Sequence, residues 1–237
     1  MPSPAPDTRE QRILLLWERG IGLNRWARDE ALLAALGPPP ARLGQRNAAL
    51  LSLRSTLFDR AWPLVTRCPE CGTDCEFEAD SAALADKVGM LETAEETIVE
   101  LGGEQIVLRA PTADDLRRIS TQEDQAVAAR SLLALCVSPP RAADSFDDHA
   151  LTELGAHLEN LDPGAMVSFT LSCPACLHVW SSDIDVGEAL WAELQRAAEQ
   201  TFVEIDALAR AYGWRETDVL GMSAVRRAAY LQLAGLS

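Results

Sequence analysis

The chain has 237 residues, 48% of them hydrophobic, which is enough to bury a real core in one large domain or two small ones. Its opening Met1–Asp7 segment is proline-rich and polar and the longest early apolar run is Ile13–Trp17, so no secretory leader and no membrane segment is expected and a soluble, cytoplasmic protein is implied. The formal charge of −15 is uneven: residues 1–67 hold ten of the 21 basic groups and six of the 36 carboxylates, leaving the remainder strongly acidic and ill suited to gripping phosphates.

After an opening expected to lack regular structure, Gln11–Glu18 is helical in pattern and Gly20-Ile21-Gly22 breaks it. A second helix over Arg25–Leu36 stops at Gly37-Pro38-Pro39-Pro40, a stiff spacer. Residues 1–40 thus read as a helical arm whose Leu14, Leu15, Trp17, Leu32, Leu33 and Leu36 must fold back on the chain or dock on another protein. Gln45–Phe58 is amphipathic and leads to Cys68-Pro69-Glu70-Cys71. Thr97–Leu101 and Gln105–Arg109, joined by Gly102-Gly103, predict a β-hairpin. Thr112 with Asp115 predicts a helix cap. Helices over Asp124–Val137 and Asp147–Glu159 complete an insert that ends at Asp162-Pro163-Gly164. Met166–Leu171 is strand-like and runs into Cys173-Pro174-Ala175-Cys176. A long helix with Leu190, Trp191, Leu194, Ala198, Phe202, Ile205 and Leu208 on one side ends at Gly213, and Ser223 caps a last helix through Ala234. Arg226 and Arg227 are expected on the exposed side of that helix, with internal pairing or a grip on an acidic neighbour as the alternatives.

The two C-P-x-C turns read as one metal site. Cys68, Cys71, Cys173 and Cys176 supply the four soft ligands that tetrahedral Zn²⁺ prefers, and the site would close a loop spanning residues 72–172. Three other readings compete. A thiol redox site would need a helix directly after the turn, yet Cys75-Glu76-Phe77-Glu78-Ala79 and Val179–Ser182 alternate as strands do. A catalytic zinc of the deaminase kind, suggested by His157-Leu158-Glu159, has its proline on the wrong side of the cysteine, and four cysteine ligands leave no position for water. A nucleic-acid-binding ribbon is opposed by Glu70, Asp74, Glu76, Glu78, Asp80, Asp183 and Asp185 on the hairpins. Cys75 and Cys136 read as buried apolar residues, and disulfides are disfavoured in a reducing compartment.

Several blocks together resemble a known family: Leu16-Trp17-Glu18-Arg19-Gly20, Ala48–Arg54, the two knuckles, Pro111–Leu116, Leu190–Leu194, Leu208–Trp214 and Arg226–Leu231. The chain resembles the baseplate proteins of contractile-tailed phages and phage-derived contractile injection systems, the family related to baseplate hub assembly proteins. The resemblance covers nearly the whole chain. Its most specific part is the Tyr212-Gly213-Trp214 block with Arg226-Arg227 and Tyr230-Leu231. Arg215 and Leu177 depart from the family pattern, in which serine and glycine are usual, and both departures touch local geometry while leaving every ligand in place. The resemblance implies a structural or assembly role, either as a built-in component of the particle or as a factor that helps it form, with other baseplate or tail-hub proteins as partners.

The expected fold is therefore α+β: a zinc-ribbon-like β centre, an arm (1–40), a lead-in helix, first knuckle and hairpin (41–110), a helical insert (111–164), the second knuckle (165–185) and C-terminal helices (186–237). The function expected is non-enzymatic, with no small-molecule substrate. A zinc-dependent enzyme or a thiol oxidoreductase is the alternative.

Overall fold

Helix-forming and strand-forming stretches alternate along the chain, and the computed structural model, which describes residues 8–235, realises them as follows. Helices α1 (Arg9–Gly20), α2 (Arg25–Ala34) and α3 (Leu43–Leu57) precede the hairpin β1 (Ala61–Arg67) and β2 (Asp74–Asp80). Helix α4 (Ser81–Gly89), strands β3 (Glu96–Leu101) and β4 (Glu104–Arg109), helices α5 (Ala113–Ile119) and α6 (Gln125–Cys136), the short β5 (Val137–Ser138) and α7 (Asp148–Leu161) follow. The hairpin β6 (Val167–Ser172) and β7 (Val179–Ile184) leads into α8 (Val186–Tyr212), α9 (Glu216–Leu220) and α10 (Ala224–Leu233). The molecule is thus mixed helix and small antiparallel sheets. The proline-rich opening lies outside the described residues. No helix among the described residues is long and apolar enough to cross a membrane.

The chain divides into two units, one made of residues 8–35 with 187–235, the other of residues 36–186. In the first, the N-terminal helices are grouped with the C-terminal ones. Leu14, Leu16, Leu32 and Leu33 are buried there, as are Leu190, Leu194, Leu208 and Val219. The end of α1 lies so close to α8 that a Cβ on Gly20 would sit 2.5 Å from Trp191 Cζ3, so only glycine fits. Arg227 departs from expectation. It is 2% exposed and not on the solvent side of α10, because its guanidinium bonds Glu10 at 2.8 Å and Glu204 at 3.0 Å, one carboxylate from α1 and one from α8. Arg226 stays exposed. Tyr212, Trp214 and Tyr230 pack ring on ring at 4.6–5.7 Å, and the Tyr212 hydroxyl donates to the Tyr230 carbonyl at 3.1 Å.

The second unit is built around the hairpins β1–β2 and β6–β7. Both are antiparallel, in registers that end at Arg67↔Asp74 and Ser172↔Val179, so loops of equal length, 68–73 and 173–178, stand at their tips. Strand β1 and helix α4 were not anticipated from the sequence. Trp62 and Ala79 turn inward from the first hairpin, and Phe77 meets Phe169 of the second with ring centroids 5.1 Å apart. The Thr66 and Ser182 hydroxyls, 3.1 Å apart, add a polar tie between the hairpins. Arg54 at the end of α3 is 1% exposed; it donates to the Asp59 and Ala61 carbonyls and to Ser81 Oγ while lying over the Trp62 ring, so one side chain fixes where α3, β1 and α4 meet. The insert has its own core, in which β3 and β4 contribute Val99, Ile106 and Leu108 while α6, α7 and the segment between them contribute Leu133, Cys136, Phe146 and Leu154.

Candidate metal centre

A turn that closes on itself is what each knuckle's hydrogen bonds create. In the first, Cys68 N–H donates to the Thr73 carbonyl and Gly72 N–H to the Cys68 carbonyl, each at 2.9 Å. In the second, Cys173 N–H donates to His178 at 2.9 Å and Leu177 N–H to Cys173 at 3.0 Å. The two loops are the same structure built twice. The residue after each second cysteine takes the left-handed conformation that such a turn requires: Gly72 at φ 72° and Leu177 at φ 61°. Leu177 is the one non-glycine residue with positive φ among the described residues, which explains why glycine is the natural choice there.

The cysteine sulfurs converge. Sγ atoms of Cys68, Cys71, Cys173 and Cys176 all lie within 4.8 Å of one another. Cys68 and Cys176 are 3.7 Å apart and Cys71 and Cys173 are 3.6 Å apart, both pairs crossing between the knuckles. Sulfurs each about 2.3 Å from one tetrahedral ion would stand about 3.8 Å apart, whereas a disulfide needs about 2.05 Å. The spacing therefore suits a shared ion, and all six cysteines are free thiols. Cys68 and Cys173 are buried while Cys71 and Cys176 face solvent, so one side of the cluster is sealed and the other open to ion entry.

Main-chain donors prepare the cluster for negative charge. The Cys176 and Ala175 N–H groups, with the thiols of Cys71 and Cys176, outweigh desolvation and lower the Cys173 thiol to about 6. The Thr73 hydroxyl, 3.3 Å from the Cys71 sulfur, and the Thr73 N–H lower Cys71 in the same way. Cys176 goes the other way. The His178 N–H favours its thiolate, but desolvation and the thiols of Cys71, Cys173 and Cys68 raise it to about 12. Four thiolates in so small a volume would repel one another, and a divalent cation held between them would let the last protons leave.

The remaining sequence candidates lie elsewhere. Cys75 is buried beside Cys68 and Cys173, with Trp180 packed against the group, and burial raises its thiol; it lines the cluster without joining the ligand set. Cys136 is in the insert core, where burial raises its thiol to about 11. His157 and Glu159 lie on α7 and are not among the residues brought together at the cluster. Strands, not helices, follow both turns, β2 after the first and β7 after the second. No family model, no curated protein and no solved structure matches the chain.

Proposed function

We propose that this chain is a non-enzymatic structural protein whose two hairpins are clipped by one Zn²⁺ on Cys68, Cys71, Cys173 and Cys176. We further propose that it acts through protein–protein contacts as a component or assembly factor of a contractile, phage-tail-like baseplate. The observation that carries the metal part is the sulfur spacing of 3.6 and 3.7 Å across the knuckles, which fits four-coordinate zinc. With all four positions filled by cysteine, no site is left for a reactive water, which favours a structural over a catalytic ion.

The baseplate part rests on the resemblance, and the places its motif residues occupy support it. Gly20 and Trp191 meet at a closest approach, Tyr212, Trp214 and Tyr230 interlock, and Arg227 joins two carboxylates. Residues that carry the likeness thus have packing roles, as expected of a family defined by architecture and not by a reaction.

Two measurements test the two parts. Elemental analysis of the purified protein is expected to give about one zinc per chain, lost in the Cys173→Ser, Cys176→Ser double variant; metal-free wild type with a reversible disulfide would overturn the structural ion. In the producing cells, a tagged chromosomal copy is expected to cosediment with contractile particles, or its deletion to leave sheath-bearing tails without baseplates. Complete particles that neither contain nor need the protein would overturn the baseplate role.

A further inference from the structure

We propose that the open edge of β3 is a docking site for a β-strand of a partner protein, one that places Lys or Arg on either side of an apolar residue at alternate positions. The hairpin turn decides which backbone groups are free. Gly102 at φ 61° and Gly103 at φ 84° form a two-residue turn of the mirror-image type, closed by the pair Leu101↔Glu104. The closing pair of such a hairpin exchanges both hydrogen bonds. Alternation along the ladder then assigns the same to Val99↔Ile106 and Thr97↔Leu108. Glu96, Ile98 and Glu100 therefore turn their N–H and C=O groups away from β4.

Among the described residues, none pairs with that side. The sheet runs β3-β4-β5, so β3 is its edge, and the nearby loop hydrogen bonds, Ala94 to Leu161 and Ala110 to Glu95, bypass those three residues. Proline guards the edge of β1 at Pro63, but β3 contains no proline, glycine or lysine to block addition of a strand. Six unpaired main-chain groups in a row are the template that strand addition uses.

The same three residues specify the occupant. Ile98 is 67% exposed beside its cross-strand neighbour Val107, offering an apolar contact in the middle. Glu96 and Glu100 flank it, and neither makes an ion pair among the described residues; Arg109, opposite Glu96, is committed to Asp115 and to the Leu135 carbonyl. A second copy of the chain is a poor fit, because antiparallel self-pairing centred on Ile98 sets Glu96 against Glu100. The surrounding unit, residues 36–186, holds 24 of the 36 carboxylates against 11 of the 21 basic groups, which adds attraction for a basic strand and repulsion for an acidic one.

The test uses the full chain and two labelled peptides in which threonine alternates with Lys, Val and Lys, or with Glu, Val and Glu. Binding is read by anisotropy and by amide shifts in NMR spectra. The lysine peptide is expected to bind at least about tenfold more tightly, moving the amides of Glu96, Ile98 and Glu100. Ile98→Pro removes an N–H that faces the open edge and none that faces β4, so it should abolish binding with the hairpin intact by circular dichroism. Glu96→Lys with Glu100→Lys should reverse the preference. Equal binding of both peptides, binding that survives Ile98→Pro, no binding at millimolar peptide, or shifts confined to another surface would each overturn the proposal. So would a concentration-dependent dimer of the wild type that Ile98→Pro abolishes, which would give the edge to a second copy. None of these readouts depends on metal content or on the presence of a particle, so the proposal and the functional reading fail separately.

Discussion

The main-chain N–H of Gly44 donates to Asp162 Oδ2 at 3.0 Å, across 118 positions of sequence. Helix α3 begins with Arg42 as its N-cap and has no local side-chain cap, so this carboxylate, 1% exposed, serves in its place at the positive end of the helix. Asn47 adds donors to the Gly164 and Ala165 carbonyls at 2.9 and 3.1 Å. Helix α3 leads toward the first knuckle and residues 162–165 lead into the second, so both approaches are pinned at their base before any ion joins their tips.

That junction sets a conflict that Gly44→Ala resolves. Helix propensity alone would favour alanine by about 1 kcal/mol. A Cβ on Gly44, however, would stand 2.3 Å from Asp162 Oδ1 and 3.0 Å from the Gly164 backbone, which cannot give way as a flexible side chain would. Gly44→Ala is therefore expected to destabilise the protein by about 1–3 kcal/mol. Asp162→Ala should cost about 1–2 kcal/mol through the lost cap, and Asp162→Asn less, since it keeps an acceptor. Urea unfolding of the three variants checks the order; a stabilised Gly44→Ala would contradict the close approach.

Leu177 makes the opposite prediction, a gain. Its φ of 61° costs a leucine about 1–2 kcal/mol, and at 77% exposure its side chain recovers little by packing. Glycine removes that strain but brings about 0.5–1 kcal/mol of extra unfolded-state entropy. Leu177→Gly is thus expected to raise stability by about 0.5–1 kcal/mol, and Gly72→Ala to lower it by a similar amount. Thermal unfolding of each protein, with and without added Zn²⁺, measures both.

What was legible in the sequence was whatever chemistry is local. The doubled C-P-x-C spacing named four cysteines that do come together, Gly102-Gly103 named a hairpin, and Thr112 with Asp115 named a cap. Between exposure and internal pairing of Arg227 the sequence does not decide, because its burial depends on Glu10 and Glu204, which lie far from it along the chain. Strand β1 went unseen because Pro63 interrupts a short, mixed run, and α4 because a nine-residue helix with one buried residue carries little periodic signal. The role of Gly44 is invisible without its distant partners, Asp162 and Gly164.

Asp115 gives a pH dependence whose sign can be worked out. Burial opposes its charge, but the Arg109 guanidinium at 2.7 and 2.9 Å, the Thr112 hydroxyl and the Thr112 N–H together lower its pKa from 3.8 to about 2. A carboxylate lowered by folding contributes stability that is present above its ordinary pKa and lost as pH falls from about 3.8 toward about 2. Because Arg109 is 40% exposed, the contribution is about 1–2 kcal/mol after solvent screening. Asp115→Asn should lose that amount at neutral pH and show a flatter stability profile across the acid window. Denaturant midpoints at a series of pH values test both parts.

Arg227 holds its unit by charge, and the arrangement predicts an asymmetry between its partners. The side chain is 3% exposed, against 14% for Glu10 and 22% for Glu204. Arg227→Met leaves two mostly buried carboxylates without a cation and is expected to cost about 3–5 kcal/mol. Glu10→Gln removes one of the two negative charges while keeping an acceptor oxygen and leaving the arginine paired with Glu204, so it should cost less than half as much. Arg227→Lys should fall near Arg227→Met, because a single ammonium cannot reach both carboxylates with the planar fork that also donates to the Met222 carbonyl. Thermal unfolding of each variant measures the order, and an innocuous Arg227→Lys would show that charge alone suffices.

The six cysteines should separate into two kinds under mutation. Cys68, Cys71, Cys173 and Cys176 share the cluster, so replacing any one by serine is expected to lower bound zinc and the thermal midpoint together. Cys75 and Cys136 are also buried, yet each fills space where a thiol is not required for coordination. Cys75→Ala and Cys136→Ala should therefore keep full metal content while losing only about 1 kcal/mol from the packing deficit. Chelator treatment sharpens the comparison. It should destabilise the wild type and both alanine variants by a common increment and leave a Cys173→Ser variant almost unchanged, since that protein has no clip left to lose. Zinc retained by Cys173→Ser, or lost from Cys75→Ala, would mean that Cys75 takes a place in the coordination sphere.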